Sequence, residues 1–201
     1  MEKNTKPRVL IGVTGSLDST LLPNYLEAIR DGLDCTLTVL MTPNATNFLK
    51  VESIALYADR VISGENPKDW PTDKPGRIVA EHELLAVLPA TANTLSAVAN
   101  GSSQNRLTTV ILAATFPVMF FPVMGGPMWE KAAVRRNVAQ IREDGYEVFE
   151  PVWRDRYDPL LQRIHGHYSL PSPEKVLSII KESVTQNLAR NNDAGEACLD
   201  C

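Results

Sequence analysis

The sequence predicts an α/β fold, a parallel sheet with helices packed on both faces, three layers in all. Three observations predict it. Short runs of strand character alternate with stretches of helical periodicity. Most of the strand runs are continuously apolar, as expected for strands covered on both sides. The 201 residues, 44% of them hydrophobic, are enough for one sizeable core and leave little room for a second full domain.

Each element has a local reason. Residues 8–13 (RVLIGV) read as a buried strand ending in the turn Thr14-Gly15-Ser16. Leu22, Leu26, Ile29 and Leu33 recur at helical spacing, with Gly32 near the end. Residues 35–41 (CTLTVLM) are β-rich and read as the second strand, followed by a Pro43-Asn44 turn and a short helix over 45–51. Residues 63–75 are rich in Pro, Asp, Lys and Gly and read as a loop. Residues 84–88 (LLAVL), 109–114 (TVILAA) and 118–123 (VMFFPV) read as three more strands. Val134, Val138 and Ile141 mark a helix ended by Gly145, and residues 146–150 alternate like a strand. Ser172 and Pro173 form an N-cap and first turn for a helix carrying Val176, Leu177, Ile180 and Val184. The organisation expected is one domain over 1–190 with a flexible polar tail over 191–201.

The net charge is −4 and the sequence pI about 5.4, with charges interspersed, which argues against a nucleic-acid binder. No apolar stretch is long enough to span a bilayer and no signal-peptide core is visible, so neither nucleic acid nor membrane is expected as a partner. The three cysteines, Cys35, Cys198 and Cys201, form no disulfide framework, which fits a reducing, cytoplasmic setting.

In a parallel sheet, ligands bind beyond the carboxyl ends of the strands, so function is sought in the turns that follow them. Gly12-Val13-Thr14-Gly15-Ser16 allows close backbone approach at a helix start, without a full G-x-G-x-x-G dinucleotide fingerprint. Met41-Thr42-Pro43-Asn44-Ala45-Thr46-Asn47-Phe48 supplies hydroxyls and amides that fit a phosphate or a helix cap. Pro89-Ala90-Thr91-Ala92-Asn93-Thr94 combines small residues, against which a planar ring can lie, with directed hydrogen-bonding groups. Phe121-Pro122-Val123-Met124-Gly125-Gly126-Pro127-Met128-Trp129 makes a shaped apolar wall or a piece of core.

Taken together these segments resemble the homo-oligomeric flavin-containing cysteine decarboxylases. PATANT (residues 89–94) is similar to that family's PASANT motif with one conservative change, and PVMGGPMW (residues 122–129) to its P-x-M-x-x-x-M-W motif. GVTGS, MTPNATNF and the stretch 99–109 follow in the family's order, and the resemblance spans roughly residues 8 to 150. Its peptidyl-cysteine decarboxylases are the most similar members. The resemblance implies a Rossmann-like (flavodoxin-like) fold, bound FMN or FAD, and a homotrimer or homododecamer with the flavin near a subunit interface. It implies oxidative decarboxylation of the C-terminal cysteine of a ribosomally made precursor peptide to an enethiol, the group used to form aminovinyl-cysteine. It assigns Gly15 and Ser16 to the flavin phosphate or ribityl chain, and Asn44 and Phe48 to the phosphate side. Ala90, Thr91, Ala92 and Asn93 are assigned to the isoalloxazine ring, and Met124 and Gly125 to the substrate side.

Two positions depart from the family pattern. Its histidine, fourteen residues before the first proline of PASANT, is Pro75 here, and its substrate-carboxylate asparagine is Gly125. Family peptide decarboxylases close a mobile segment over the substrate in the region that here holds His165 and His167, which makes these two the candidate base. The alternative reading is a pair of exposed loop histidines. No metal-ligand set accompanies them. Cys198-Leu199-Asp200-Cys201 reads as an isolated CxxC or as a mimic of a Cys-ended substrate. Two alternative functions stand beside the first: a phosphopantothenoylcysteine decarboxylase-like enzyme, and a flavin-binding partner protein without catalysis.

Overall fold

The computed structural model describes residues 6–64, 68 and 70–196. In chain order the first half contains β1 (Arg8–Val13), α1 (Leu22–Gly32), β2 (Thr36–Met41), α2 (Val51–Ile54), β3 (Arg60–Ile62), α3 (Trp70–Asp73), α4 (Pro75–Ala80) and β4 (Leu84–Ala90). The second half contains α5 (Ala92–Ala99), α6 (Arg106–Ala113), β5 (Val118–Pro122), β6 (Met124–Gly125), α7 (Gly126–Trp129), α8 (Ala132–Glu143), β7 (Glu147–Val148), β8 (Val152–Asp158), β9 (Arg163–Ser169) and α9 (Pro173–Glu196). Single 3₁₀ turns follow β1 (Leu17–Leu21) and β2 (Ala45–Asn47).

Six strands form one sheet in the order β3-β2-β1-β4-β5-β7, and every pairing in it is parallel. The chain winds from β1 outward through β2 and β3, then returns to add β4, β5 and β7 on the other side. This is a doubly wound, Rossmann-type arrangement with its reversal between β1 and β4.

Side chains of successive strand residues enter opposite layers. Val9, Ile11 and Val13 of β1 join Leu84, Ala86 and Leu88 of β4 in a cluster roofed by Leu22, Leu26 and Ile29 of α1 and Val176 and Ile180 of α9. Leu10, Leu85 and Val87 face the other layer, closed by Leu95 of α5, Leu107 and Ile111 of α6, and Ile141 of α8. Burial on both faces is why these strands carry almost no polar residues. Each fully buried Leu or Ile contributes about 1.5–3 kcal/mol relative to exposure.

Several local expectations change. Residues 109–114, read as a strand, belong to helix α6. Asn105 caps it, its side chain accepting from Thr108 N at 3.0 Å while the Thr108 hydroxyl accepts from Asn105 N at 3.1 Å. That reciprocal cap is worth about 1 kcal/mol, and Leu107, Val110 and Ile111 then share one buried face. The expected loop 63–75 contains α3 and the first residue of α4, and β3 precedes it. Residues 163–168 are strand, not loop: β9 pairs antiparallel with β8 and, through Met124↔Tyr168 and Gly125↔His167, with β6. Helix α9 continues to Glu196, and Cys198 and Cys201 lie outside the described residues. None of the described helices is long and apolar enough to cross a membrane.

Cys35 is a free, buried thiol whose pKa burial pushes up to about 11. The thiolate is the reactive form, so native Cys35 is expected to resist iodoacetamide at pH 8 and to label once the chain is unfolded. Peptide mapping after alkylation reads this site separately from the other two cysteines; rapid native labelling at Cys35 would contradict its burial.

Candidate functional site

The carboxyl ends of β1, β2, β4 and β5 meet at the reversal point, and a cleft of about 560 Å³ opens there. This is within the roughly 300–1,000 Å³ range of small-molecule sites. Its floor is pinned by one hydroxyl. Thr14 Oγ1 donates to Pro89 O at 2.8 Å and accepts from Thr91 N at 3.2 Å, so the ends of β1 and β4 are held together across 75 residues. The turn after β1 is fixed by Ser19, whose hydroxyl donates to Thr14 O at 2.7 Å and accepts from Ser16 N at 3.2 Å. Thr42 ties the end of β2 to β1 by bonding Val13 O through both its N–H and its hydroxyl, each at 3.0 Å.

The residues assigned from sequence separate into three groups. Gly15, Ser16, Asn44, Thr91, Ala92, Asn93 and Met124 line this cleft. Ala90 does not: it is fully buried, and its carbonyl accepts from Val123 N at 3.0 Å. Phe48 also lies outside the lining, because the 3₁₀ turn at Ala45–Asn47 carries it to the surface, where it is 42% exposed. Gly125, His165 and His167 line a smaller, adjoining pocket of about 230 Å³. The two pockets share Ser16, Val123 and Met124, so they are separated by no more than one layer of side chains.

The larger cleft fits a flavin in its chemistry. None of its lining side chains is charged. Thr91 precedes α5 without a side-chain cap, leaving the first-turn N–H groups of that helix to face a ligand. The amide side chains of Asn44, Asn93 and Gln104 make no hydrogen bond to protein among the described residues, so their donors and acceptors remain for a bound group. Gly15 completes the cradle: a Cβ there would sit 2.6 Å from Asn44 Cβ and 2.8 Å from Asn44 O.

The smaller pocket is charged. Asp18, on the turn after β1, is 3% exposed, and its Oδ2 accepts from Ser169 Oγ at 2.6 Å. Its Oδ1 lies 3.6 Å from Arg156 Nη1 and 3.7 Å from His167 Nε2. His167 is mostly buried, and its other ring nitrogen, Nδ1, has no hydrogen-bond partner. His165 is more open, 3.8 Å from Asp158 Oδ2, with its ring 6.3 Å from that of His167. Tyr168 donates to Glu130 at 2.9 Å, a bond that raises the phenol pKa. The β8–β9 hairpin is seated by aromatic contact with α7, the rings of Tyr168 and Trp129 lying 5.9 Å apart.

Asp18 and Arg156 were not singled out from sequence. The signal for Asp18 is an acidic residue five positions beyond an apolar strand; Arg156 becomes visible only when β8 and β9 are paired. Pro75 starts α4 and is absent from both linings. His82 is buried, its Nδ1 2.6 Å from Ile78 O, and burial pushes its pKa down; it is a core histidine.

Comparison with known proteins agrees with this geometry. The family model described as Flavoprotein matches residues 1–185. Mersacidin decarboxylase from Bacillus sp. (strain HIL-Y85/54728) is 32% identical over 177 residues, 87% of this chain and 89% of the relative. The solved structure of the epidermin biosynthesis protein EpiD from Staphylococcus aureus superposes with a TM-score of 0.77 at 25% identity, covering 86% of this chain and 99% of EpiD. EpiD has also been solved with the substrate peptide DSYTC. The FMN-dependent cysteine decarboxylase SpaF matches with a TM-score of 0.74 at 30% identity, over 90% of this chain and 97% of SpaF.

Proposed function

The chain belongs to the flavoprotein family and is kin to its cysteine decarboxylases, and from that premise we propose that it oxidatively decarboxylates the C-terminal cysteine of a precursor peptide. The observation that carries this reading is the shared wall of Ser16, Val123 and Met124, which sets a small charged pocket directly beside the neutral cleft. A flavin supplies a hydride acceptor for the substrate Cβ, after which the substrate's own thiocarbonyl takes up the electron pair released with CO₂.

FMN is the form we infer. SpaF is FMN-dependent, and no dinucleotide fingerprint follows β1. Asn44, Thr91 and Asn93 hold it through neutral hydrogen bonds, and Met124 covers the substrate side. His167 serves as the base for the substrate thiol from the lining of the smaller pocket: its Nε2 lies 3.7 Å from Asp18 Oδ1, close enough for the carboxylate to orient the ring, while its Nδ1 is buried without a hydrogen-bond partner. His165, on the same face of β9, is the second basic group of the pocket. A homotrimer, alone or as a dodecamer, belongs to the same reading; Tyr157, Leu160, Leu161 and Ile164 on the hairpin are exposed apolar surface for a peptide or a neighbouring subunit to cover. So does a cytoplasmic location, supported by the free thiol of Cys35.

The test is direct. Flavin-loaded protein incubated with a Cys-ended precursor peptide is expected to remove the mass of CO₂ plus two hydrogens, and to leave the same peptide ending in Ser unchanged. Pro75 and Gly125, at the positions of the family's histidine and asparagine, favour a second reading, a flavin-binding partner without turnover. Flavin-loaded protein that leaves every Cys-ended peptide intact supports that reading over the first.

A further inference from the structure

We propose that Arg156 is the specificity-determining residue that reads the free C-terminal carboxylate of the substrate, in the pocket between the β8–β9 hairpin and Met124–Gly125. The inference rests on the decarboxylase reading of the site and adds to it the group by which this chain distinguishes a peptide's end from its middle.

Four observations support it. Arg156 lines the smaller pocket, which adjoins the flavin cleft, while the cleft itself has no charged side chain in its lining. A group bound by Arg156 therefore lies beside the cleft, across the shared wall of Ser16, Val123 and Met124. The Arg156 side chain is about one-third exposed, and its one ion pair among the described residues, to Asp18 at 3.6 Å, is longer than a hydrogen bond. No N–H of this guanidinium is hydrogen-bonded to protein among the described residues, so its planar fork of donors is free for a carboxylate. Asp18 meanwhile spends Oδ2 on Ser169 and holds Arg156 and His167 on either side of Oδ1. The one buried carboxylate thus fixes the cation without capping it.

The opposite wall adds no competing donor. Gly125 pairs with His167 across β6 and β9, and an added Cβ there would meet only Met128 Sδ at 4.0 Å. Packing does not demand glycine at this position, so the wall is open by composition and the hairpin supplies the charge. Arg154, two residues earlier, provides an internal contrast: it lines neither the flavin cleft nor the smaller pocket, only a neighbouring one to which Arg156 and His167 also contribute.

The experiment compares the peptide DSYTC, and N-acetylcysteine as a minimal probe, each as free acid and as C-terminal amide. Binding to flavin-loaded protein is followed by calorimetry and by perturbation of the flavin spectrum, with no turnover required. Wild type is expected to bind the acids at least tenfold more tightly than the amides. In Arg156→Gln that ratio should fall to near one, with flavin content and thermal stability unchanged; Arg156→Lys should keep part of it, and Arg154→Gln all of it. Equal binding of acid and amide by wild type, no binding of either up to millimolar concentration, a wild-type ratio in Arg156→Gln, or loss of the ratio in Arg154→Gln would each overturn the proposal. If wild type prefers the acids yet removes no mass from any Cys-ended peptide, the carboxylate assignment stands and the decarboxylase reading fails.

Discussion

Replacement of Gly15 by alanine is expected to lower flavin affinity by about five- to 150-fold while the chain still folds. The added Cβ would lie 2.6, 2.8 and 2.9 Å from Cβ, O and C of Asn44, and two of these atoms are backbone. A flexible side chain can swing away; a backbone carbonyl cannot. Relief by sliding the strands is blocked, because β1 and β2 are in register from Arg8↔Thr36 to Val13↔Met41, and Thr42 is bonded twice to Val13 O. The turn after β1 and the turn after β2 must therefore part at the cleft, where Gly15 and Asn44 both face the ligand. Overpacking of this kind costs about 1–3 kcal/mol, which as lost binding is the range stated. Flavin retained after gel filtration, and titration of the apoprotein, measure it. Wild-type affinity in this variant would remove Gly15 from the cradle.

The second large effect concerns the proton. His167→Ala is expected to slow decarboxylation of a Cys-ended peptide by about ten- to a hundredfold at pH 7 and to recover most of the rate near pH 9. A free cysteine thiol has a pKa near 8.5, so roughly a few per cent is already thiolate at neutral pH. Without a base the rate is limited by that fraction, which rises about tenfold per pH unit until the thiol has titrated. The sign is fixed by the substrate: loss of the base is felt below the thiol pKa and not above it. Asp18, Arg156, His165 and Tyr168 also line this pocket, and none of them is altered by the substitution. His165→Ala is the comparison, since that ring is more exposed and lies toward Asp158 rather than Asp18. A pH profile parallel to wild type, lower by a constant factor, would assign His167 to positioning instead of proton removal.

Much of this architecture was legible in the sequence, for a reason that also explains the exceptions. β1, β2, β4 and β5 are covered on both faces, so their residues are almost all apolar and announce themselves. Because parallel strands share one direction, the turns after them had to converge, and Gly15, Asn44 and Asn93 meet as expected. The TVILAA segment misled because its β-branched residues favour strands; the Asn105-x-x-Thr108 cap, a local and legible signal, outweighs that preference. The β8–β9 hairpin was hidden for the opposite reason. It is a mostly exposed ribbon of Arg, Asp and His, without the apolar run that marks a buried strand, and composition alone reads it as loop. The pairing of Asp18 with His167 and Arg156 joins residues more than 130 positions apart and follows only from the hairpin's placement.

The cleft draws its walls from Thr14, Thr42, Thr91, Gln104 and Met128, positions scattered across more than half the chain. No short segment of the chain contains the binding surface, and an unfolded chain contains none of it. Mass action then makes the cofactor a folding ligand: at a free concentration one hundred times its dissociation constant, it adds about 2.7 kcal/mol to the native state. Because stability differences of this size decide how much chain is exposed to proteolysis, the amount of intact protein is expected to track the supply of flavin. Scarcity of the cofactor should then lower the quantity of the catalyst as well as its loading, which immunoblotting of flavin-depleted cells would read.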